Sequence, residues 1–574
     1  MKAKKILSLV LATLLLIGVL AACTSSTTPG SDNPGSEAPS NTPTGTPDSN
    51  TPDGETAPGI EGWTAFDNNV TITVPVYDRS KEGYPAVDDN YWTKWVQSEF
   101  GDKYNVTVKY VPIPRSDVMT AYSLLIVGGD TPTIMMEYDY PKVAEWADQG
   151  AMGTYDIDAF KQVAPNYYQS MVDNDQLGYT DLNGETYFVL SERPYYKTTF
   201  TFATWVRMDW LRQVGYDSVP KSYAEKKDAM EKIVAAGLSD SPLPMGIPAS
   251  AYVNNFPYRD FPVNEAEWAQ HSSLGTPSLS WEPTKRMLKR YNDEFHAGFY
   301  SSEFDLREDS RGQAGGEIEA EFINGKIYSY GSYISNNMAW LSAFYAENPG
   351  AELAVESVYT GVEPGVQDTA AIRADNPFGM IVGFSSKATD DQLKAAWMLM
   401  EWMLQDDVLF EMENGYENVT FVYDSMGFPV VDPDYRGTEM LNHNMNIDMT
   451  CLVHASKKVG TVEETIKLMA PAGLPQDFSQ ELINNYYDLQ AVADKGWAYT
   501  DPIFAEIVAV EAEYNATLLA NYKEAFAALV KCDPAEFDAL YDRLSADYLA
   551  AGYQEIIDAR LEVYNRGMTT KLPK

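Results

Sequence analysis

Basic residues are scarce in this chain of 574 residues. Lysines and arginines number 42 and aspartates and glutamates 83, so the formal net charge is −41. A field of this sign repels the phosphate backbone of nucleic acids, and we therefore expect no nucleic-acid partner. We interpret the acidity as a solubility feature rather than a device for binding.

Cysteine and histidine are also scarce, with three and four residues respectively. The histidines are scattered, and His454 with Cys451 is the only close pair of the two types, which leaves no recognisable zinc pattern. Cys451 and Cys532 can either form one disulfide or remain two buried thiols. Their spacing in the sequence does not decide between these alternatives.

Oxygen-bearing side chains cluster at residues 173–175 and at Asp181, as they do in calcium-binding loops. The cluster lacks the order Asp-x-Asn-x-Asp-Gly with a glutamate at the twelfth place. A calcium loop therefore stays a minor alternative. We predict no metal site and no cofactor.

The apolar run near the N-terminus, residues 6–20, is too short to be a typical membrane-spanning helix, which needs about 20 apolar residues. It follows three lysines and carries no charge, which is typical of a secretory signal. Leu20-Ala21-Ala22-Cys23 closes the run and resembles the lipobox of bacterial lipoproteins. The resemblance implies a signal peptide at residues 1–22 and lipidation of Cys23. An ordinary signal with an incidental cysteine, or a retained transmembrane anchor, are the alternatives.

Residues 23–62 consist largely of serine, threonine, proline, glycine and asparagine, with hardly an apolar side chain. Such a segment buries too little surface to offset the entropy of ordering it. We expect a disordered linker between the lipid and the folded part. The lipid would hold the protein at the extracellular face of the cytoplasmic membrane.

The globular part begins near Trp63 with alternating strand and helix patterns. Strands are predicted at residues 70–76, 105–111 and 134–136, and helices over 91–100 and 117–127. This alternation predicts an α/β fold with a mainly parallel sheet.

The pattern continues further along the chain. A strand is predicted at residues 205–207, and Ser222 is the predicted N-cap of a helix. The apolar strand 379–384 precedes a long helix predicted over 390–412, and the chain beyond Gln476 is almost wholly helical. The length of the chain predicts two large lobes rather than one core.

Several phrases, in the same order along the chain, resemble those of solute-binding proteins of carbohydrate ABC importers, in the long lipoprotein branch of Gram-positive bacteria. The phrase 128–134 departs from the family at Thr133, where aspartate is usual, and the phrase 183–188 departs at Asn183 and Glu185. The phrases that carry the resemblance are residues 128–134, 146–152, 183–188, 206–211, 322–326, 331–333 and 537–565.

The resemblance implies a two-lobe periplasmic-binding-protein-like α/β fold with a helical C-terminal region. Lobe one would comprise residues 63–195 and 375–440, and lobe two residues 196–374 and 441–574. A carbohydrate would bind in the cleft between the lobes of a monomer that passes it to ABC transporter permease subunits, with no catalytic residues. The alternatives are an extracellular glycoside hydrolase, or a lipoprotein of the same fold that binds a non-sugar ligand or serves a sensor.

Ligands of open α/β sheets sit beyond the carboxyl ends of strands. Glu137, Tyr138 and Asp139 follow one predicted strand, and Tyr77 with Asp78 occupies the same place after another. Sugars bind to flat aromatic rings and to carboxylate, amide and arginine partners. We therefore predict that these five residues bind the ligand, the alternative being acidic surface loops.

The resemblance adds five further candidates. Tyr333 matches the place of a stacking tryptophan in maltodextrin-type binders, and Tyr330 lies beside it, with a core or hinge role as the alternative. Tyr252 and Asn255 belong to a loop dense in rings and amides, which is otherwise a surface loop. Arg207, at the start of lobe two, would contact the ligand or bridge the lobes.

Overall fold

The computed structural model describes residues 62–570. The residues within this range that it does not describe are 81, 249–263, 273–274, 310–315, 335–338, 357–371, 425–426, 433, 436, 438–444, 457 and 472. The predicted signal peptide, Cys23 and nearly all of the predicted linker lie outside the described residues. Within the described part, no helix has both the length and the apolar character needed to cross a membrane.

The first two strands form a parallel pair, Val70–Asp78 with Val106–Pro114, in which Val70 lies opposite Val106. Both segments are rich in β-branched residues, which favour strands. The strands of three or more residues are Val70–Asp78, Val106–Pro114, Ile134–Glu137, Val189–Glu192, Phe202–Arg207, Ser329–Tyr333, Leu353–Val355, Phe378–Ser385, Phe421–Tyr423 and Pro429–Val431.

The prediction of a mainly parallel sheet is wrong. The strand Phe378–Ser385 is buried at all eight positions and pairs antiparallel with Ile134–Glu137, Val189–Glu192 and Met152–Gly153. Many residues separate this strand from its partners in the sequence, and it runs in the opposite direction to them. Its pairing therefore depends on tertiary structure and cannot be read from the local alternation of strands and helices.

A second, fully antiparallel sheet has Phe202–Arg207 at its centre. Ser329–Tyr333 pairs along one edge of this strand and Leu353–Val355 along the other. Trp205 on the central strand has no exposed surface, so this strand is buried between its neighbours.

The predicted helices form, with one correction. The predicted helix 390–412 is two helices, Asp390–Met403 and Asp406–Asn414, because Gln405 is extended and the acids that follow it suit a new helix N-terminus. Ser222 caps its helix as predicted, since its side chain accepts from the backbone N–H of Glu225. The helices of six or more residues are Tyr91–Val96, Val118–Gly128, Tyr140–Asp148, Ile157–Val163, Pro165–Asp173, Met208–Gln213, Tyr223–Ala235, Glu265–His271, Glu282–His296, Glu317–Ile323, Ala339–Glu347, Asp390–Met403, Asp406–Asn414, Met445–Thr450, Val462–Met469, Ser479–Ala493, Val510–Lys531, Phe537–Tyr548 and Gln554–Asn565.

Three hydrophobic cores lie within the compact unit Trp63–Lys574. The first core surrounds the strands Val70–Asp78 and Phe378–Ser385. The second core joins the C-terminal helices to helix Glu282–His296, and the third surrounds Phe202–Arg207 and Ser329–Tyr333.

One segment packs differently from the predicted division into lobes. Met449 and residues 451–453 belong to the first core, although the prediction places residues 441–574 with lobe two. Cys451 is buried there as a free thiol, and Cys532 is also free, so the two do not form a disulfide.

Candidate functional site

A cleft of about 750 Å³ lies between the first and third cores. Three chain segments run side by side there. The backbone N–H of Asp375 donates to the carbonyl of Tyr196 over 2.9 Å, and the N–H of Ala455 donates to the carbonyl of Glu192 over 2.7 Å. Backbone hydrogen bonds therefore join segments beside the cleft that are distant in sequence.

The cleft is lined by aromatic rings and by charged and hydroxyl groups. Tyr138 and Phe378 come from the side of the first core, whereas Phe200 and Ile334 come from the third. The lining residues are Arg79, Arg115, Glu137, Tyr138, Asp139, Arg193, Pro194, Tyr195, Thr199, Phe200, Thr201, Tyr333, Ile334, Arg373, Ala374, Asp375, Asn376, Phe378, Ala455, Ser456, Met469 and Asp501.

Two ion pairs in the cleft join segments that are distant in sequence. Arg193 pairs with Asp375 at 2.9 Å, and both are about one quarter exposed. Arg373 pairs with Asp501, which also accepts from the hydroxyl of Ser272. These contacts join the segments that cross between the cores, so they help to fix the geometry of the cleft lining.

A third ion pair lies on the wall of the first core. Arg79 binds Asp448 through two hydrogen bonds, of 2.7 and 2.8 Å. This bidentate geometry is the strong form of an arginine–carboxylate contact. Burial raises the pKa of Asp448, and the bonds from Arg79 oppose that rise.

Glu137 ends the strand Ile134–Glu137 and reaches the cleft as predicted, although only 4% of it is exposed. One carboxylate oxygen accepts from the hydroxyl of Tyr77 over 2.6 Å, and the other accepts from the backbone N–H of Tyr138 over 2.8 Å. Burial, and then the negative charge of Glu137, raise the pKa of Tyr77. Tyr77 therefore remains a donor that fixes this carboxylate.

Tyr138 and Asp139 also line the cleft. Asp139 is the N-cap of helix Tyr140–Asp148, since its side chain accepts from the backbone N–H of Lys142 over 3.3 Å. Burial is the largest of the effects that raise the pKa of Asp139, and it also raises the pKa of Tyr138. The helix start thus holds the acid at the mouth of the site.

Tyr333 stands on the opposite wall, where the strand Ser329–Tyr333 ends. It is 56% exposed, which is unusual for a large ring, and its edge packs against Phe202 with the ring centres 5.4 Å apart. Gly331 faces the same Phe202, and a Cβ atom there would lie 3.0 Å from that ring. The strand therefore presents Tyr333 to the cleft.

Four of the predicted site residues lie away from the cleft. Tyr330 is 4% exposed and donates to Glu319, so it belongs to the third core. The buried Arg207 pairs with Asp209 at 2.7 Å, which gives it a structural role.

Tyr77 and Asp78 are the other two. Tyr77 does not line the cleft itself but contacts two residues that do, Glu137 and Arg115, and Asp78 accepts from the backbone N–H of Ser80 instead of lining the cleft. Tyr252 and Asn255 lie outside the described residues.

Sequence reasoning missed several cleft residues. Arg115 directly follows the strand Val106–Pro114, and Arg193 follows Val189–Glu192, so the rule that found Glu137 also points to them. No local sequence signal points to Arg373 and Asp501, because they line the cleft through a pairing between segments that are distant in sequence. Among the described residues, no group of three or more His, Cys, Asp or Glu side chains could hold a metal ion.

A cleft between separate cores, with rings and polar groups on its walls, is the architecture of a protein that captures a small molecule. The family model described as bacterial extracellular solute-binding protein matches residues 85–408. This match covers more than half of the chain, and the chain belongs to that family. No curated relative matches it.

Solved structures show the same fold. An HMO-binding, ABC-transporter-associated solute-binding protein from Bifidobacterium longum infantis superposes with a TM-score of 0.56 at 13% identity, covering 88% of this chain and 100% of that one. An extracellular solute-binding protein from the same subspecies gives 0.57 at 15% identity, with 88% and 100% covered. The S. pneumoniae ABC-transporter substrate-binding protein FusA, in complex with kestose, gives 0.53 at 13% identity, with 87% and 99% covered. The predicted fold of the periplasmic-binding-protein type is confirmed.

Proposed function

We propose that this protein captures an oligosaccharide in the cleft and delivers it to an ABC importer. The observation that carries the proposal is the composition of the cleft, where aromatic rings and paired charges line one space of about 750 Å³. This volume is within the range of about 300–1,000 Å³ that is typical of small-molecule sites.

The rings suit a sugar because its C–H faces pack on flat aromatic surfaces. Tyr333 is the strongest candidate for such a platform, since more than half of it is exposed beside the cleft. Tyr138 lies on the wall of the first core, so a sugar between the two walls would contact a ring on each side.

The polar groups suit a sugar because each hydroxyl group both donates and accepts hydrogen bonds. Glu137 and Asp375 offer acceptors, and the arginines that line the cleft offer donors. Paired charges are already held in place, so they need little reordering when a ligand binds. Two of the structural neighbours support this class of ligand, one described as HMO binding and the other solved with kestose.

Delivery to the importer needs a protein held near the membrane. The proposal therefore includes removal of residues 1–22 and lipidation of Cys23, followed by residues 23–62 as a tether. Closing the walls on a sugar would give the importer a shape that it can distinguish from the empty protein. Metabolic labelling with a fatty-acid analogue tests the anchor, and we expect Cys23→Ser to abolish incorporation.

The sugar site is tested with Tyr333→Ala and its matched control, Tyr423→Ala. Tyr423 is 49% exposed and packs edge-on against Phe421 with ring centres 5.4 Å apart, so it copies the setting of Tyr333 outside the cleft. A stacked ring contributes about 0.5–1.5 kcal/mol beyond its area burial, so we expect Tyr333→Ala to weaken sugar affinity by about tenfold.

Isothermal titration with kestose, maltotriose and xylotriose supplies the affinities, and thermal unfolding checks that both variants are folded. Tyr423→Ala should bind as the wild type does. Unchanged affinity in Tyr333→Ala would remove Tyr333 from the site, and cleavage of a bound sugar would favour the glycoside hydrolase instead.

A further inference from the structure

Arg115 differs from the other three arginines that line the cleft. Arg79, Arg193 and Arg373 each pair with a carboxylate. Within the described ranges, Arg115 has no carboxylate within 4.0 Å and its contacts are with aromatic rings. In a chain of net charge −41, a cleft arginine with no described carboxylate at ion-pair distance calls for another explanation, although its charge still opposes the rise in the pKa of Asp448.

The rings orient Arg115 and leave its hydrogen-bonding edge unused. The guanidinium carbon lies 4.8 Å from the ring centre of Tyr77 and 5.9 Å from that of Tyr138. A cation–π contact of this kind holds a guanidinium beside a ring and leaves its N–H groups able to donate hydrogen bonds. Arg115 is half-buried and lines the cleft, so these donors are available to a ligand.

Among the described residues, Glu137 is a cleft carboxylate without a cation at ion-pair distance, just as Arg115 is a cleft arginine without a carboxylate at that distance. It is 4% exposed and lines the cleft, but no lysine, arginine or histidine of the described part lies within ion-pair distance of it. A buried carboxylate without a cation is costly unless hydrogen bonds satisfy it. Each oxygen has one donor, from Tyr77 or from the N–H of Tyr138, and each can accept another.

Tyr77 joins the two groups. Its hydroxyl donates to Glu137, and its ring carries Arg115. One buried side chain thus fixes an acceptor and a set of donors on the same wall of the cleft. The two are not paired with each other, so both retain hydrogen-bonding capacity.

We infer that Arg115 and Glu137 form a recognition pair for two neighbouring hydroxyl groups of an uncharged sugar. Arg115 donates to one hydroxyl oxygen, and Glu137 accepts from the O–H of the other. This inference rests on the proposed function and adds the class of sugar and the residues that select it.

The balance of charge favours an uncharged sugar over a uronate. The described lining holds four arginines and four acids, and Asp448 adds a fifth acid behind Arg79. Glu137 and Asp139, two residues apart in the sequence, share a wall with Arg115, so the carboxylate of a uronate there would meet two acids and one arginine. Like charges at this range disfavour binding.

Isothermal titration calorimetry of the purified protein with kestose, maltotriose, xylotriose and trigalacturonate measures the affinity for each probe. The variants are Arg115→Met and Glu137→Gln, and Arg543→Met is the control because Arg543 is 63% exposed and pairs with Asp547 on the surface. Met keeps much of the length of arginine without its charge, and Gln keeps the shape of glutamate. Thermal unfolding identifies any variant that fails to fold, and each variant tests the pair separately.

We expect each cleft variant to weaken the tightest neutral probe by about tenfold or more, and Arg543→Met to bind within about twofold of the wild type. Trigalacturonate should bind the wild type at least about tenfold more weakly than that neutral probe. Wild-type affinity in Arg115→Met, or a preference for trigalacturonate, would overturn the inference and leave the sugar site intact. A wild type that binds none of the four probes would contradict the proposed function itself.

Discussion

His271 makes the stability of this protein depend on pH. Its Nδ1 atom lies 3.1 Å from the hydroxyl of Ser278, and its ring stacks on Trp281 with an interplanar angle of 13°. Burial, and then the positive charge of Arg560, lower the pKa of His271 from 6.5 to about 4. The folded protein therefore keeps a neutral imidazole at pH values where the unfolded chain takes up a proton.

The sign and size of the effect follow from linkage. Because the folded pKa is the lower one, the stabilisation is complete above about pH 6.5 and is lost as the pH falls towards 4. One pKa unit corresponds to about 1.36 kcal/mol, so His271 lowers the free energy of unfolding by about 2 kcal/mol between pH 7 and pH 5.

The assay is urea unfolding, followed by circular dichroism, of the wild type and His271→Gln at pH 5, 6, 7 and 8. Gln can still bond to Ser278 but does not titrate. We expect the wild type to lose about 2 kcal/mol more than the variant between pH 7 and pH 5. The two curves should run parallel between pH 7 and pH 8. Parallel curves over the whole range would refute the reasoning.

Three further perturbations test the structure away from His271. Ser222→Ala removes a capping box and should cost about 1 kcal/mol of stability in urea unfolding, and an unchanged midpoint would contradict the cap. Glu511→Ala leaves the fully buried Arg560 without its carboxylate and should cost about 3–5 kcal/mol, while the affinity for sugar stays the same. Tyr77→Phe removes a donor to Glu137 and should weaken sugar binding by about fivefold to tenfold in calorimetry, and wild-type affinity would show that the hydroxyl does not position the carboxylate.

Local pattern predicted about half of the elements of this fold but not how they pair. The β-branched runs gave the strands Val70–Asp78 and Val106–Pro114, and Ser222 marked a helix start, because these signals act over a few residues. The antiparallel pairing of Phe378–Ser385 could not be predicted in this way, since its partners lie more than 180 residues earlier in the chain. The break at Gln405 was missed because the apolar pattern continues across it.

In the site, too, the residues that follow a local pattern could be predicted and the others could not. Glu137 and Tyr138 were found because they follow a predicted strand, whereas Arg115 was missed because the strand predicted to end at residue 111 continues to Pro114. Tyr330 and Tyr333 were both predicted to bind the ligand. Successive residues of a strand face opposite sides of the sheet, so two residues that are three positions apart, such as these, lie on opposite faces. The structure accordingly buries Tyr330 in a core and exposes Tyr333 beside the cleft.

The central claim is that this protein holds a neutral oligosaccharide in its cleft and releases it unaltered. The most direct measurement incubates the purified chain with a mixture of kestose, maltotriose and xylotriose, removes unbound sugar by gel filtration, and identifies what the protein retains by chromatography. The account predicts about one molecule of one trisaccharide per chain, recovered at its original length. Retention of no sugar, or recovery of shorter products, would contradict it.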